Sequence, residues 1–349
     1  MVRTSNQDHP SDWRAIGESV AGSSHNRQGI PKQDAICWWP DTGVGLPLIL
    51  AVSDGHGSEA HFRSDTGARF AVDAAIQILA RFSEVSGTSK SPDIMPQNVE
   101  QHIARRVHRR WLDLVADDVY HHPISYEELA KLEMSKGVAR VRQVVLQPAL
   151  AYGATLLCAL VTHSSILYLQ LGDGDILAVG DDATTVKRPI PRDDELVGDE
   201  TTSLCMPDAW RRFKTASTPL SDDCPALIVM CTDGYANSFV DDSAFLEVGP
   251  DYLKLIRGNG PDFVESNLQR WLSAASEGGS GDDVSVGLIF RPEIDVKVDD
   301  THSDEAEQAL GLEPQSDPPK HSVGSTPDST SQDDVPKTDN SSVRDERKA

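Results

Sequence analysis

The chain has 349 residues with 32 basic and 55 acidic side chains, a formal charge of −23, and is long enough to bury a sizeable core in one large or two small domains. From Glu293 onward there are 15 acids and 6 bases, so the last segment carries −9 and the first 292 residues −14. An acidic body argues against general binding to nucleic acid or anionic membranes, which needs a basic footprint.

Five cysteines (Cys37, Cys158, Cys205, Cys224, Cys231) are an odd, widely spaced set without C-x-x-C, which speaks against a disulfide framework or a structural zinc site. Met1 to Trp13 lacks an apolar h-region, and no stretch reaches the roughly 18 apolar residues of a spanning helix. The expectation is a soluble, cytoplasmic protein.

Residues 1–14 read as a polar lead-in and Ala15 to Ser23 as a short first strand. Ser24 to Asp34, S-H-N-R-Q-G-I-P-K-Q-D, is turn-rich and carries His25, Arg27, Lys32 and Asp34. Ala35 to Trp39 resumes as a second strand, and Asp41-Thr42-Gly43 turns the chain toward a continuous aliphatic strand, Leu48 to Val52. That strand stops at Asp54-Gly55-His56-Gly57. Two glycines there permit positive φ and close backbone approach, so an acid and an imidazole are held at the rim of a rigid core.

Phe70, Ala74, Ala75, Ile78, Leu79 and Phe82 recur at helical spacing and predict an amphipathic helix over Ser64 to Phe82. Ser83 to Gln97 reads as a loop. A second helix places Val99, Ile103, Val107, Trp111, Leu114 and Val115 on one face, and a third runs from Tyr126 to Leu146. His108, His121 and His122 belong to this helical region and are expected on the surface.

Strands return over Ala154 to Val161, Ser165 to Leu171 and Ile176 to Val179, the last two separated by Gly172-Asp173-Gly174-Asp175. Asp181 to Ser221 is long and irregular and includes the basic cluster Arg211, Arg212 and Lys214; loops of that length are usually functional or mobile. Ala226 to Thr232 is another buried strand, ending in Asp233-Gly234. An amphipathic helix carrying Phe263, Val264, Leu268, Trp271 and Leu272 follows, and Asp282-Asp283 lead into a final strand. Residues 293–349 contain no aromatic side chain and few aliphatic ones, and are expected to form a disordered tail.

Strands thus end in acids at Asp54, Asp173 and Asp233, and another begins just after Asp282-Asp283. If those ends share one sheet edge, several carboxylates converge, and like charges that close stay ionised only around a cation. Oxygen ligands without His or Cys point to magnesium, manganese or calcium rather than zinc. A pair of such ions lowers the pKa of a shared water and turns it on a phosphoryl centre. His56, beside Asp54, is placed to protonate the leaving oxygen. Arg27 or Lys32 would hold phosphate oxygens, Arg being the better bidentate partner. A single Asp-Gly is more often a plain turn; four strand-edge acids together with D-G-H-G reverse that balance. A calcium-binding module fits poorly, because no D-x-D-x-D-G loop is present.

The ordered set S-H-N-R-Q-G-I-P-K-Q-D-A (24–35), V-S-D-G-H-G-S (52–58), G-A-T-L-L (153–157), L-G-D-G-D (171–175), C-T-D-G-Y (231–235) and S-G-D-D-V-S-V (280–286) resembles the metal-dependent protein phosphatases of type 2C, the PPM family, and more closely their bacterial branch. The resemblance spans about residues 15 to 291, giving a domain over 15–292. It implies an α+β fold, a four-layer α-β-β-α sandwich of two antiparallel sheets flanked by helices. It also implies a binuclear Mg2+ or Mn2+ centre. Asp54 would bridge the two ions, with the Gly55 carbonyl, Asp233 and Asp282 completing the set and Asp34 binding directly or through water. Asp173 falls on an acid that can hold a third, weaker metal, and His56 on the general acid. Gln33 stands where the family usually has Glu, and its phosphate-holding arginine does not align, which leaves Arg27, His25 and Lys32 as candidates.

Two functions follow. The first is an enzyme that hydrolyses phosphoserine or phosphothreonine in proteins, with phosphorylated proteins and a cognate Ser/Thr kinase as partners. The second, favoured by Gln33, is a catalytically weak relative that binds phosphoproteins or a kinase as a regulator.

Overall fold

The computed structural model describes residues 13–87, 99–192, 201–221 and 224–291. The loop expected up to Gln97 lies mostly outside these residues, and the tail expected over 293–349 lies wholly outside them. Ten strands form two five-stranded antiparallel sheets. β1 (Arg14–Val20), α1 (Ser23–Gln28), β2 (Ala35–Trp39) and β3 (Leu48–Ser53) come first. Three long helices follow, α2 (Ser64–Gly87), α3 (Val99–His121) and α4 (Tyr126–Leu146). Then come β4 (Leu156–Val161), β5 (Ser165–Leu171), β6 (Asp175–Val179), β7 (Val186–Lys187), β8 (Lys214–Pro219) and β9 (Leu227–Cys231). The chain closes with α5 (Asp233–Ala236), α6 (Asp242–Asn259), α7 (Pro261–Gly278) and β10 (Val284–Phe290).

One sheet has the order β1-β10-β9-β6-β7 and the other β2-β3-β4-β5-β8. Continuous apolar runs such as Leu48–Ser53, buried at every position, are what a sheet covered on both faces requires. Three hydrophobic clusters mark the three layer boundaries. Leu48, Leu50, Leu157 and Tyr168 of one sheet meet Ile176, Ile228, Met230 and Ile289 of the other. α2 and α3 cover the outer face of the β3 sheet through residues such as Leu79 and Trp111. α6 and α7 cover the β9 sheet through Tyr252, Leu268 and Trp271. This is the expected α-β-β-α sandwich.

Several local expectations change. Trp13 is buried and Arg14 already belongs to β1, so the fold starts before Ala15. Part of the turn-rich 24–34 segment is the short helix α1, and α2 continues past Phe82 to Gly87. The helix α6 was not legible because Gly249-Pro250 reads as a break; nine buried residues in it outweigh that local penalty. The irregular 181–221 segment contains β7 and β8. His108 is buried rather than on the surface, its Nε2 3.1 Å from the Leu204 carbonyl; His121 and His122 are exposed. Among the described residues no helix is long and apolar enough to cross a membrane.

Candidate metal centre

The acids converge, though not on one sheet edge. Asp54 follows β3 and Asp173 follows β5, in one sheet; Asp233 follows β9 and Asp282 precedes β10, in the other. The Gly172–Gly174 turn crosses from one sheet to the other, which carries Asp173 to the seam between them. One carboxylate oxygen each from Asp54, Asp173 and Asp233 lies within 4.8 Å of the other two.

Backbone and hydroxyl contacts fix these positions. Asp54 N–H donates to Thr155 Oγ1 at 3.0 Å, Thr155 N–H to the Asp54 carbonyl at 2.8 Å, and Ser53 Oγ to the Thr155 carbonyl at 2.6 Å. Gly55 and Gly57 do not have positive φ. Gly55 is required for the other reason: a Cβ there would stand 2.6 Å from the Ser64 carbonyl and 2.7 Å from that of Gln33. Similarly, a Cβ on Gly234 would stand 2.1 Å from the Asp283 carbonyl, which is how closely the loops carrying Asp233 and Asp282 approach.

Asp34 is buried, and its Oδ2 accepts from Thr232 Oγ1 and Ser285 Oγ, both at 2.8 Å. Burial, reinforced by the charges of Asp283 and Asp233 and opposed by those hydroxyls, pushes its carboxyl up to about 8. Burial, together with the charges of Asp34, Asp233, Asp173 and Asp282, holds Asp54 well above the usual carboxylate range. Asp233 rises to about 6 through burial and the charges of Asp173 and Asp282. Asp282 is half exposed at the margin, with Oδ1 3.6 Å from His25 Nε2. Asp173 is exposed and accepts from the Thr201 hydroxyl.

His56 N–H donates to the Gly153 carbonyl at 3.1 Å, and its ring centre is 5.0 Å from that of His61. Burial lowers the His56 pKa, with Asp173 opposing. Arg27 is exposed and donates to Ser24 Oγ at 3.0 Å. Lys32 donates to the Ser19 carbonyl and hydroxyl at 3.0 and 2.8 Å. Neither makes an ion pair with a site acid among the described residues.

Sequence reasoning passed over the residue that organises the N-terminal side. Asp283 is buried, and its carboxylate accepts from Gly22 N–H and Gln33 N–H at 2.6 Å each and lies 2.9 Å from His25 Nδ1. The only signal for it was the Asp282-Asp283 doublet. Thr155 and Thr232, which flank β4 and β9, and Ser285 within β10 were not singled out, since a hydroxyl beside a strand end is common.

The residues fit a divalent cation. Buried carboxyls that raise one another's pKa need positive charge to ionise together, and all of the donors are oxygens. Gln33 Oε1, next in the chain to Asp34, is buried without a hydrogen-bond partner.

Fold and cluster together define a two-sheet sandwich protein with an acidic cluster between the rims of its sheets. The description "Protein phosphatase 2C" belongs to the family whose pattern matches residues 21–273, and the chain belongs to that family. No curated protein sequence matches it. Among solved structures it is similar to a bacterial serine phosphatase (16% identity, 81% of this chain and 99% of that one, TM-score 0.48). It is also similar to the serine/threonine phosphatase Stp1 from Staphylococcus aureus (15% identity, 79% and 94%, TM-score 0.47). A third is the Mycobacterium tuberculosis serine/threonine phosphatase PstP/Ppp (16%, 81% and 100%, TM-score 0.46).

Proposed function

We propose that the chain is a Mg2+- or Mn2+-dependent phosphatase that hydrolyses phosphoserine or phosphothreonine in proteins. The observation that carries the reading is the meeting of Asp54, Asp173 and Asp233 within 4.8 Å, drawn from three separate strand ends. Bound divalent ions would supply charge neutralisation at the phosphoryl group and a water of lowered pKa. Asp54, the Gly55 carbonyl, Asp233, Asp282 and Asp34 would hold two ions, and Asp173 a third, weaker one. Thr155 holds the Asp54 backbone, and Thr232 and Ser285 hold the Asp34 carboxylate through Oδ2.

His56 is the group for the leaving oxygen: half-buried, next to the acids, and held through its backbone by Gly153. Arg27, exposed on α1, is the candidate for the phosphate. Phosphorylated proteins would be the substrates, with a Ser/Thr kinase supplying them. Gln33, a neutral amide where the family has an acid, supports the regulator as the second reading.

The test measures turnover of an aryl phosphate and a phosphoserine peptide with Mn2+, Mg2+ or EDTA. EDTA should abolish activity, and Asp54→Asn or Asp233→Asn should lower kcat by about 100-fold or more. His56→Ala should cost about 100-fold on the peptide and much less on the activated aryl ester, whose leaving group needs no proton. A wild type without turnover that still binds the phosphopeptide would transfer the case to the regulator.

A further inference from the structure

Thr201 to Thr215 leads away from the centre to a second feature. At its start the Thr201 hydroxyl donates to Asp173, and Leu204 N–H donates to the Ala154 carbonyl at 2.9 Å, next to Thr155. Further on, Trp210 walls two adjoining hollows of about 420 Å³ each. The first opens between α3 and the Cys205–Asp208 turn, with Arg105, Arg109, Leu112 and Met206 in its lining. The second is bounded by Glu100, Arg211 and Phe213.

The charge here runs against the rest of the molecule. Residues 104–112 contain four arginines and no acid, and 209–215 contain Arg211, Arg212 and Lys214 and no acid, in a chain of net charge −23. The Arg105 and Arg211 guanidinium carbons lie 5.3 and 4.8 Å from the Trp210 ring centre. Arg211 has Asp208 at 3.7 Å and Arg109 has Asp113 at 3.0 Å, both pairs exposed, whereas Arg105 has no carboxylate within 4.0 Å among the described residues. Exposed pairs of this kind exchange partners at little cost.

The basic character continues inward. Arg140 on α4 has a buried Nε without a hydrogen-bond partner. Its charge acts on both Cys205, which lines the first hollow, and His61, whose ring lies against His56.

We propose that the Trp210 groove, with Arg105, Arg109 and Arg211, docks an acidic segment of the phosphoprotein substrate near its phosphorylated residue. The proposal rests on the phosphatase reading and adds to it the class of substrate. Trp210, Leu112 and Met206 offer apolar contact, the arginines offer the charge that an acidic peptide seeks, and the 201–215 segment joins groove to centre.

The experiment uses the full chain with Mn2+ and three substrates: p-nitrophenyl phosphate, a phosphoserine peptide with a flanking run of Glu, and the same peptide with Gln in that run. The acidic peptide should have about 10-fold higher kcat/KM than the neutral one, through KM. That ratio should fall toward one in Arg105→Glu/Arg211→Glu and at high salt. Trp210→Ala should raise KM for the acidic peptide.

Equal kcat/KM for the two peptides, with aryl phosphate still turned over, would overturn the groove and leave the phosphatase reading standing. No turnover of any substrate would overturn the phosphatase reading instead. The groove would then be judged by quenching of tryptophan fluorescence on titration with the acidic peptide, with Trp210→Phe as control, and no quenching would sink it as well. Preference for a single-stranded oligonucleotide, or faster peptide turnover after removal of residues 293–349, would assign the groove to another occupant and overturn the proposal.

Discussion

The carboxyls at the seam are held in a state that water alone does not stabilise. Asp34 raised to about 8, Asp233 raised to about 6 and Asp54 raised well above its usual range all favour the protonated form in the folded chain. The unfolded carboxyls ionise at about 3.9. The folded state therefore binds more protons than the unfolded one between those limits, and stability drops as pH climbs through the window. Half-buried His56 and His61 and buried His108 have pKa values lowered by desolvation and work the other way, adding stability as pH rises toward 6.5. Above 6.5 the imidazole contribution fades while the carboxyls still give up their protons. Metal-free protein should thus lose Tm from pH 6.5 to 8, Asp34→Asn should flatten that slope, and Mn2+ should raise Tm more at pH 8 than at pH 6. Differential scanning fluorimetry checks this; a metal-free Tm that rises over the interval would contradict the burial account.

At the scale of elements, the centre is assembled by clamps between distant segments, and Asp283 is the most connected. Its carboxylate gathers Gly22 N–H, Gln33 N–H and His25, tying the α1 region and the entry to β2 onto the start of β10. Asp283→Ala leaves those donors without their acceptor in a buried place, at a cost of about 3–5 kcal/mol. Asp283→Asn, which keeps one acceptor oxygen, should lose less. Urea unfolding measures both, and a loss below about 1 kcal/mol for the alanine variant would show that the clamp is redundant.

These clamps also explain what could be read in advance. Strands such as Leu48–Ser53 and the acids at their ends were legible because burial on both faces demands unbroken apolar runs. Asp54, Asp173 and Asp233 stand where those runs stop. The partition of the strands between two sheets was not legible from the residues themselves, since nothing local distinguishes a hairpin turn from the crossover at Gly172–Gly174. Nor was α6, where packing of Phe245, Tyr252 and Leu253 overrides an internal Gly-Pro. His108 was misplaced because its partner, the Leu204 carbonyl, is 96 residues away.

For the whole molecule, three apolar clusters drawn from the described residues 13–291 build the sandwich. Among the described residues, the last strand of the two sheets ends at Phe290. The remaining segment carries −9 of the −23 total and contains no aromatic side chain, so it has little with which to add to a core. Truncation after Pro292 should therefore leave Tm within about 2 °C and aryl-phosphate turnover unchanged. Thermal melts and initial rates on the truncated chain decide the point. A marked drop in Tm would mean that the segment packs on the sandwich, and the domain would then have to be drawn past residue 292.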